Sequence, residues 1–216
     1  MLSKKIIFII VFGTVFGVTV CQRKKTESKK VTESSMEIDT IVSNTYRGMN
    51  ITVSDSLALT ELIKNLLKWH EDDIPLDFMP LTKFQNDSVY SGINWEIHNK
   101  RMKQLSETEF FSEGFLENYQ NIAVHLDKEL KENSERYYVG YLPPYGNGAN
   151  EWCNCQDFPP DWENNLIIID LKIDANFASF KWTWFKEYYY FIRTQKNENL
   201  WQIDYMERFD IKYFTW

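Results

Sequence analysis

The run Leu166-Ile167-Ile168-Ile169-Asp170-Leu171-Lys172-Ile173-Asp174, followed by Ala178-Ser179-Phe180-Lys181-Trp182-Thr183-Trp184, decides the fold. Side chains of a β-strand alternate between its two faces. Ile167, Ile169, Leu171 and Ile173 therefore share one face, with Asp170 and Lys172 on the other. Ala178, Phe180, Trp182 and Trp184 stand against Ser179, Lys181 and Thr183 in the same way. A period of two with one apolar side is what an antiparallel sheet with one buried face requires. Lys186-Glu187 reads as a tight connection into a strand from Tyr188 to Thr194. Lys196-Asn197-Glu198-Asn199 turns the chain into Leu200 to Met206, where Trp201, Ile203 and Tyr205 share a face. Three consecutive hairpins make a meander from Leu166 to Met206.

Upstream, the period changes from two to 3.6. Ser54-Asp55-Ser56 offers N-cap side chains, and Leu59, Leu62, Ile63 and Leu66 follow at helical spacing, so a helix is expected from about Asp55 to His70, ended by Pro75 and Pro80. Ser106-Glu107-Thr108-Glu109 has the form of a capping box. The helix it opens carries Phe111, Phe115, Tyr119, Ile122, Leu126 and Leu130 on one stripe, with His125 beside it as a partly buried structural residue. From Ile74 to Leu105, Tyr90, Ile93, Trp95 and Ile97 alternate, which reads as a short strand or hairpin. Tyr137 to Leu142 reads as a further strand. Helices early and a meander late give an α+β class, with the helices packed on the concave side of a curved antiparallel sheet.

The N-terminus has its own logic. Met1 to Lys5 is cationic, and Ile6 to Val20 is a fifteen-residue run without charge, the length of a signal-peptide core and short of the roughly 20 residues of a spanning helix. Val18-Thr19-Val20-Cys21 resembles a bacterial lipobox, although Val20 stands where that pattern prefers Gly, Ala or Ser; the resemblance implies lipidation of Cys21 and attachment to a membrane. An uncleaved anchor and a plain secreted form are the alternatives, the first favoured by Arg23 to Lys25 just beyond the run. Residues 1–20 are thus expected to be a signal, 21–37 a disordered tether, and 38–216 a single domain.

Charge narrows the partners. The first thirty residues hold seven bases and one acid, leaving 17 bases against 30 acids in the rest, a formal charge of −13. Such a domain repels phosphate backbones, so nucleic acid is not expected, whereas a cationic partner, a metal ion or a sugar is compatible. His70-Glu71-Asp72-Asp73, with Asp77 close by, offers carboxylates for a hard cation but lacks the spaced ligands and turn glycine of a calcium loop, and reads as a solvated acidic loop. Cys153 and Cys155 supply two ligands where zinc takes four; a disulfide and free thiols are the other readings. The composition needs no cofactor to fold.

Helix-terminal Leu67-Lys68-Trp69-His70, Leu105-Ser106, Gln156-Asp157 ahead of the sheet and the final Leu200-Trp201-Gln202-Ile203-Asp204-Tyr205 together resemble a bacterial family of exported proteins with a domain of unknown function. That family belongs to the cystatin-like superfold that includes nuclear transport factor 2-like domains, and the resemblance runs from about Asp55 to Arg208. It implies a sheet wrapped into a cone with a pocket at its open end. Some members of the superfold are isomerases or dehydratases and many only bind, so the fold does not decide. Asp204 and Tyr205 alternate along their strand and are expected on opposite faces, and no acid and base stand at a spacing that identifies a reaction.

The leading expectation is a membrane-tethered, noncatalytic domain of the bacterial cell envelope, held to the inner or outer membrane through Cys21, that binds a small molecule or an envelope protein. Ligand contacts are expected at the mouth of the sheet from Trp69, His70, Trp152, Asp157, Trp162 and Asp204. Two alternatives stand beside it. One is a hydrolase, isomerase or dehydratase working through Asp157, His70 and Asp204; the other is an immunity or inhibitor protein whose acidic surface meets a basic enzyme.

Overall fold

A computed structural model describes residues 53–72, 77–84, 88–132, 138–139, 149–185 and 188–215, all within one compact unit, Tyr46–Trp216. The signal, the lipobox-like Cys21 and the tether lie outside the described residues, as do Asp73, Pro75, Lys186-Glu187 and most of the expected Tyr137 to Leu142 strand. Tyr138 makes an isolated bridge to Val89. No helix among the described residues is long and apolar enough to cross a membrane.

The architecture is α+β. Helices α1 (Val53–Asp72), α2 (Trp95–Glu107), α3 (Glu113–Glu132) and the single turn α4 (Trp162–Asn165) precede strands β1 (Ile167–Asp174), β2 (Phe177–Phe185), β3 (Tyr188–Asn197) and β4 (Leu200–Met206). Two 3-10 turns, Glu207–Phe209 and Ile211–Phe214, follow. The four strands form one antiparallel sheet in sequence order, the meander that the alternation predicts. Its buried side carries Ala178, Phe180, Trp182, Tyr190, Ile192, Trp201 and Ile203, and the stripes Leu59–Ile63–Leu66 of α1 and Phe115–Tyr119–Ile122–Leu126 of α3 complete the core.

The sheet has three register shifts, and those in β1 and β4 correct the expected faces. Between Ile169 and Lys172 of β1 there is one residue more than between their partners Lys181 and Ser179, and Asp170 takes a left-handed φ of 55°. A bulge of this kind reverses the side-chain phase. Ile168, not Ile167, therefore packs against the core ahead of the bulge, while Leu171 and Ile173 do so after it; Ile167 is left 54% exposed. A second shift lies between Trp182 and Phe185. In β4, Arg193 pairs with Tyr205 while its neighbour Thr194 pairs with Ile203, so Asp204 is the extra residue and Met206 replaces Tyr205 on the buried side.

Two local expectations are also corrected. Trp95 and Ile97 belong to α2 rather than to a strand: the Asn94 side chain accepts from the Ile97 N–H at 3.1 Å and starts a helix. The helix escapes a hydropathy reading because its buried side carries His98 and Arg101 beside Leu105. The pairing expected around Tyr90 and Ile93 survives as a bridge from Ile93 to Pro80. Gly92 permits it with a φ of +144°, where an added Cβ would stand 2.5 Å from the Asp127 carboxylate that caps the Ile93 N–H. Ser106 opens nothing. It lies in the last turn of α2 with its hydroxyl bonded to the Lys103 carbonyl, and α3 begins seven residues later, where Ser112 Oγ accepts from the Phe115 N–H at 3.1 Å. Between them Phe110–Ser112 bonds to Ile203, tying the entry of α3 to β4.

Candidate binding groove

The residues between α3 and β1 build one wall of a groove. Asn150 organises the turn: its Oδ1 accepts from the Trp152 N–H at 2.8 Å, its N–H donates to the Cys155 carbonyl and its own carbonyl accepts from the Asn154 N–H. Asn154 takes a φ of 51° between Cys153 and Cys155, which are disulfide-bonded with their Cα atoms 5.2 Å apart. Of the three readings of the cysteine pair, the structure has the disulfide.

This turn presses Trp152 inward and leaves its far side facing solvent. The Trp152 ring is 1% exposed and meets Trp69, Phe111 and Phe209 at centroid separations of 5.9, 5.6 and 4.6 Å. Its indole N–H donates to Asp77 Oδ2 at 2.6 Å. Asp77 Oδ1 accepts from the Tyr119 hydroxyl at 2.5 Å and from Arg101 Nε at 3.2 Å. Burial first, and the adjacent Asp77 carboxylate second, hold the Tyr119 phenol well above its ordinary pKa, with Arg101 opposing. The Arg101 guanidinium lies 4.5 Å from the Trp69 ring. Asp77 is thus no member of a solvated acidic loop: it is the acceptor that makes it feasible to bury a tyrosine, an arginine and an indole together.

The opposite wall is the β2–β3 hairpin. Trp182 and Tyr190 stack at 5.4 Å, and the Tyr190 hydroxyl donates to the Glu151 carbonyl at 2.5 Å, joining hairpin to turn. Burial comes first in raising the Glu151 carboxyl above its usual range. The second bulge carries Trp184 against Phe158 and Trp162. Between the walls runs a groove of about 490 Å³, lined by residues 149 and 153–157 on one side and by residues 182–185 and 188–190 on the other. Phe185, Tyr188 and Tyr189 stand 52%, 66% and 45% exposed at its rim.

The six expected ligand contacts separate in three dimensions. Asp157 lines the groove. Trp152 and Trp162 are core residues, and the Trp162 N–H is given to Glu71 Oε2 at 3.2 Å. His70 is 3% exposed, and its Nε2 accepts from Asn150 Nδ2 at 2.7 Å. Trp69 packs half-buried among Phe110, Phe111 and Arg101. Asp204 lies at the β4 bulge, accepting from Ser112 Oγ at 3.1 Å and 3.9 Å from Arg193 Nη2. Arg193 also covers the Tyr205 ring at 4.7 Å, so Asp204 and Tyr205 share a neighbour. Asp157, His70 and Asp204 accordingly do not converge.

Sequence reasoning missed the hairpin rim as a lining element. The signal was present: Trp182-Thr183-Trp184-Phe185 and Tyr188-Tyr189-Tyr190-Phe191 are too continuously aromatic for one face to absorb, so some rings had to face outward. No His, Cys, Asp or Glu group among the described residues is arranged to hold a metal ion. In comparisons with known proteins, the chain matches no family model, no curated protein and no solved structure.

Proposed function

We propose that the chain is a noncatalytic binding domain of the bacterial cell envelope, tethered through a lipidated Cys21, and that its ligand lies in the groove between the Ala149–Asp157 turn and the β2–β3 hairpin. The observation that carries this reading is the groove: about 490 Å³, bounded by aromatic side chains with a few polar groups, which is the usual composition of a small-molecule site. Exposed rings gathered at one rim are the kind of apolar patch that marks a contact surface. The tether reading rests on Val18 to Cys21 and the charged, Ser/Thr-rich segment after it. The cone of the cystatin-like superfold is part of the same proposal, supported by the order of three helices followed by an antiparallel meander.

Two experiments test it. Full-length protein screened against a small-molecule library should give saturable changes in tryptophan fluorescence that disappear in Tyr188→Ala/Tyr189→Ala; hits that bind the double variant equally well would remove the groove from the account. Expression in bacteria with labelled palmitate should mark the chain, and Cys21→Ser should lose both label and membrane association.

A further inference from the structure

We infer that the groove takes an organic cation, an amine, quaternary ammonium or guanidinium group; this rests on the groove being the binding site. Among the described residues, its lining contains one charged residue, Asp157, and no lysine, arginine or histidine. Asp157 is exposed and makes no hydrogen bond or ion pair among the described residues, whereas Asp77, Asp127 and Asp204 are all engaged by neighbouring donors. The Asp157 carboxylate thus lines the same groove as the aromatic residues of the hairpin. Aromatic faces carry negative quadrupole charge and attract cations most strongly when water is displaced. The hairpin already attracts one: Lys181 Nζ lies 5.9 Å from the Tyr189 ring centroid.

The long-range field has the same sign. Beyond residue 30 the chain carries a formal charge of −13, which raises the local concentration of cations and repels anions. A neutral sugar could stack on the same rings and bond the amides of Asn154 and Gln156, but it would draw no advantage from the charge of Asp157. That difference makes the two ligands separable by experiment.

Full-length protein in detergent micelles is titrated with tetramethylammonium chloride, with trilysine and with maltotriose, following tryptophan fluorescence and heat. Saturable binding of either cation, weakened about fivefold by Asp157→Asn and lost in Tyr188→Ala/Tyr189→Ala at unchanged thermal midpoint, is the expected result. Tighter binding of tetramethylammonium points to a free small cation, and tighter binding of trilysine to basic side chains of a peptide. Maltotriose binding that is lost in the double tyrosine variant, with no response to either cation, overturns the cation and keeps the groove. Cation affinity unchanged within about twofold in Asp157→Asn overturns the role of its charge. Silence toward all three probes overturns the inference, and the groove then stands or falls on the library screen.

Discussion

Two aromatic clusters meet at the turn that carries Trp152, and they treat their polar atoms in opposite ways. On the core side, the Trp152 indole and the Tyr119 hydroxyl share the Asp77 carboxylate, and Trp162 donates to Glu71. On the groove side, Phe185, Tyr188 and Tyr189 are largely exposed, in a groove also lined by an Asp157 carboxylate with no partner among the described residues. Trp182, between the two, is 2% exposed and its Nε1 has no acceptor among the described residues. Aromatic density alone therefore does not mark a site. A ring whose edge is bonded and whose face is packed is spent on stability, and one exposed at the rim of a groove keeps surface that a ligand can reach.

The comparison breaks most completely at Asp77. Asp77→Ala leaves Arg101, Tyr119 and Trp152 without their shared acceptor, and urea unfolding should show a loss of about 3–5 kcal/mol, the usual cost of stripping one partner from a buried charged pair. Trp152→Phe keeps a large ring but removes the N–H, leaving Asp77 one donor short; about 1–3 kcal/mol should be lost in the same assay. If that substitution costs nothing, the contrast between the clusters is not one of hydrogen bonding.

Replacing both members of the disulfide, Cys153→Ser with Cys155→Ser, should cost about 1.5 kcal/mol, because the closed loop is short and little chain entropy is released. Binding in the groove should fall further than stability, since the turn it closes is the groove's wall. Smaller again is a pH effect. Burial, partly offset by Gln120 and Asp77, lowers the pKa of His98 below its ordinary value of 6.5. The folded form thus disfavours the protonated ring. The stabilisation is complete above pH 6.5 and is lost as pH falls through the lowered folded pKa. Denaturation series across that range should show a shallower decline in His98→Gln than in the parent chain. The smallest effect on stability belongs to Tyr188→Ala/Tyr189→Ala, within about 0.5 kcal/mol, because both rings are largely solvated; a large loss would mean that the rim is structural.

Much of the framework is legible in the sequence. The i, i+3, i+4 stripe from Phe115 to Leu130 and the alternation of β2 report burial directly, since each follows the repeat of its own backbone. The α2 helix was not legible: its inward face holds His98 and Arg101, whose burial depends on Gln120 and Asp77 in other segments. The start of α3 was misplaced for a related reason. Ser106 and Ser112 are equivalent as local capping signals, and only the pairing of Phe110–Ser112 with Ile203 selects the second.

The sequence by itself determined the α+β class, the strand order and the buried stripes of α1 and α3, because those follow from side-chain periodicity over neighbouring residues. Tertiary structure alone decided where the bulges at Asp170 and Asp204 reverse the faces, that Asp77 is a buried hub, and that Asp157 and Tyr188 line one groove. Each of these depends on a contact between segments far apart in the chain, where a residue's role is set by the partner that burial brings to it and not by its own chemistry.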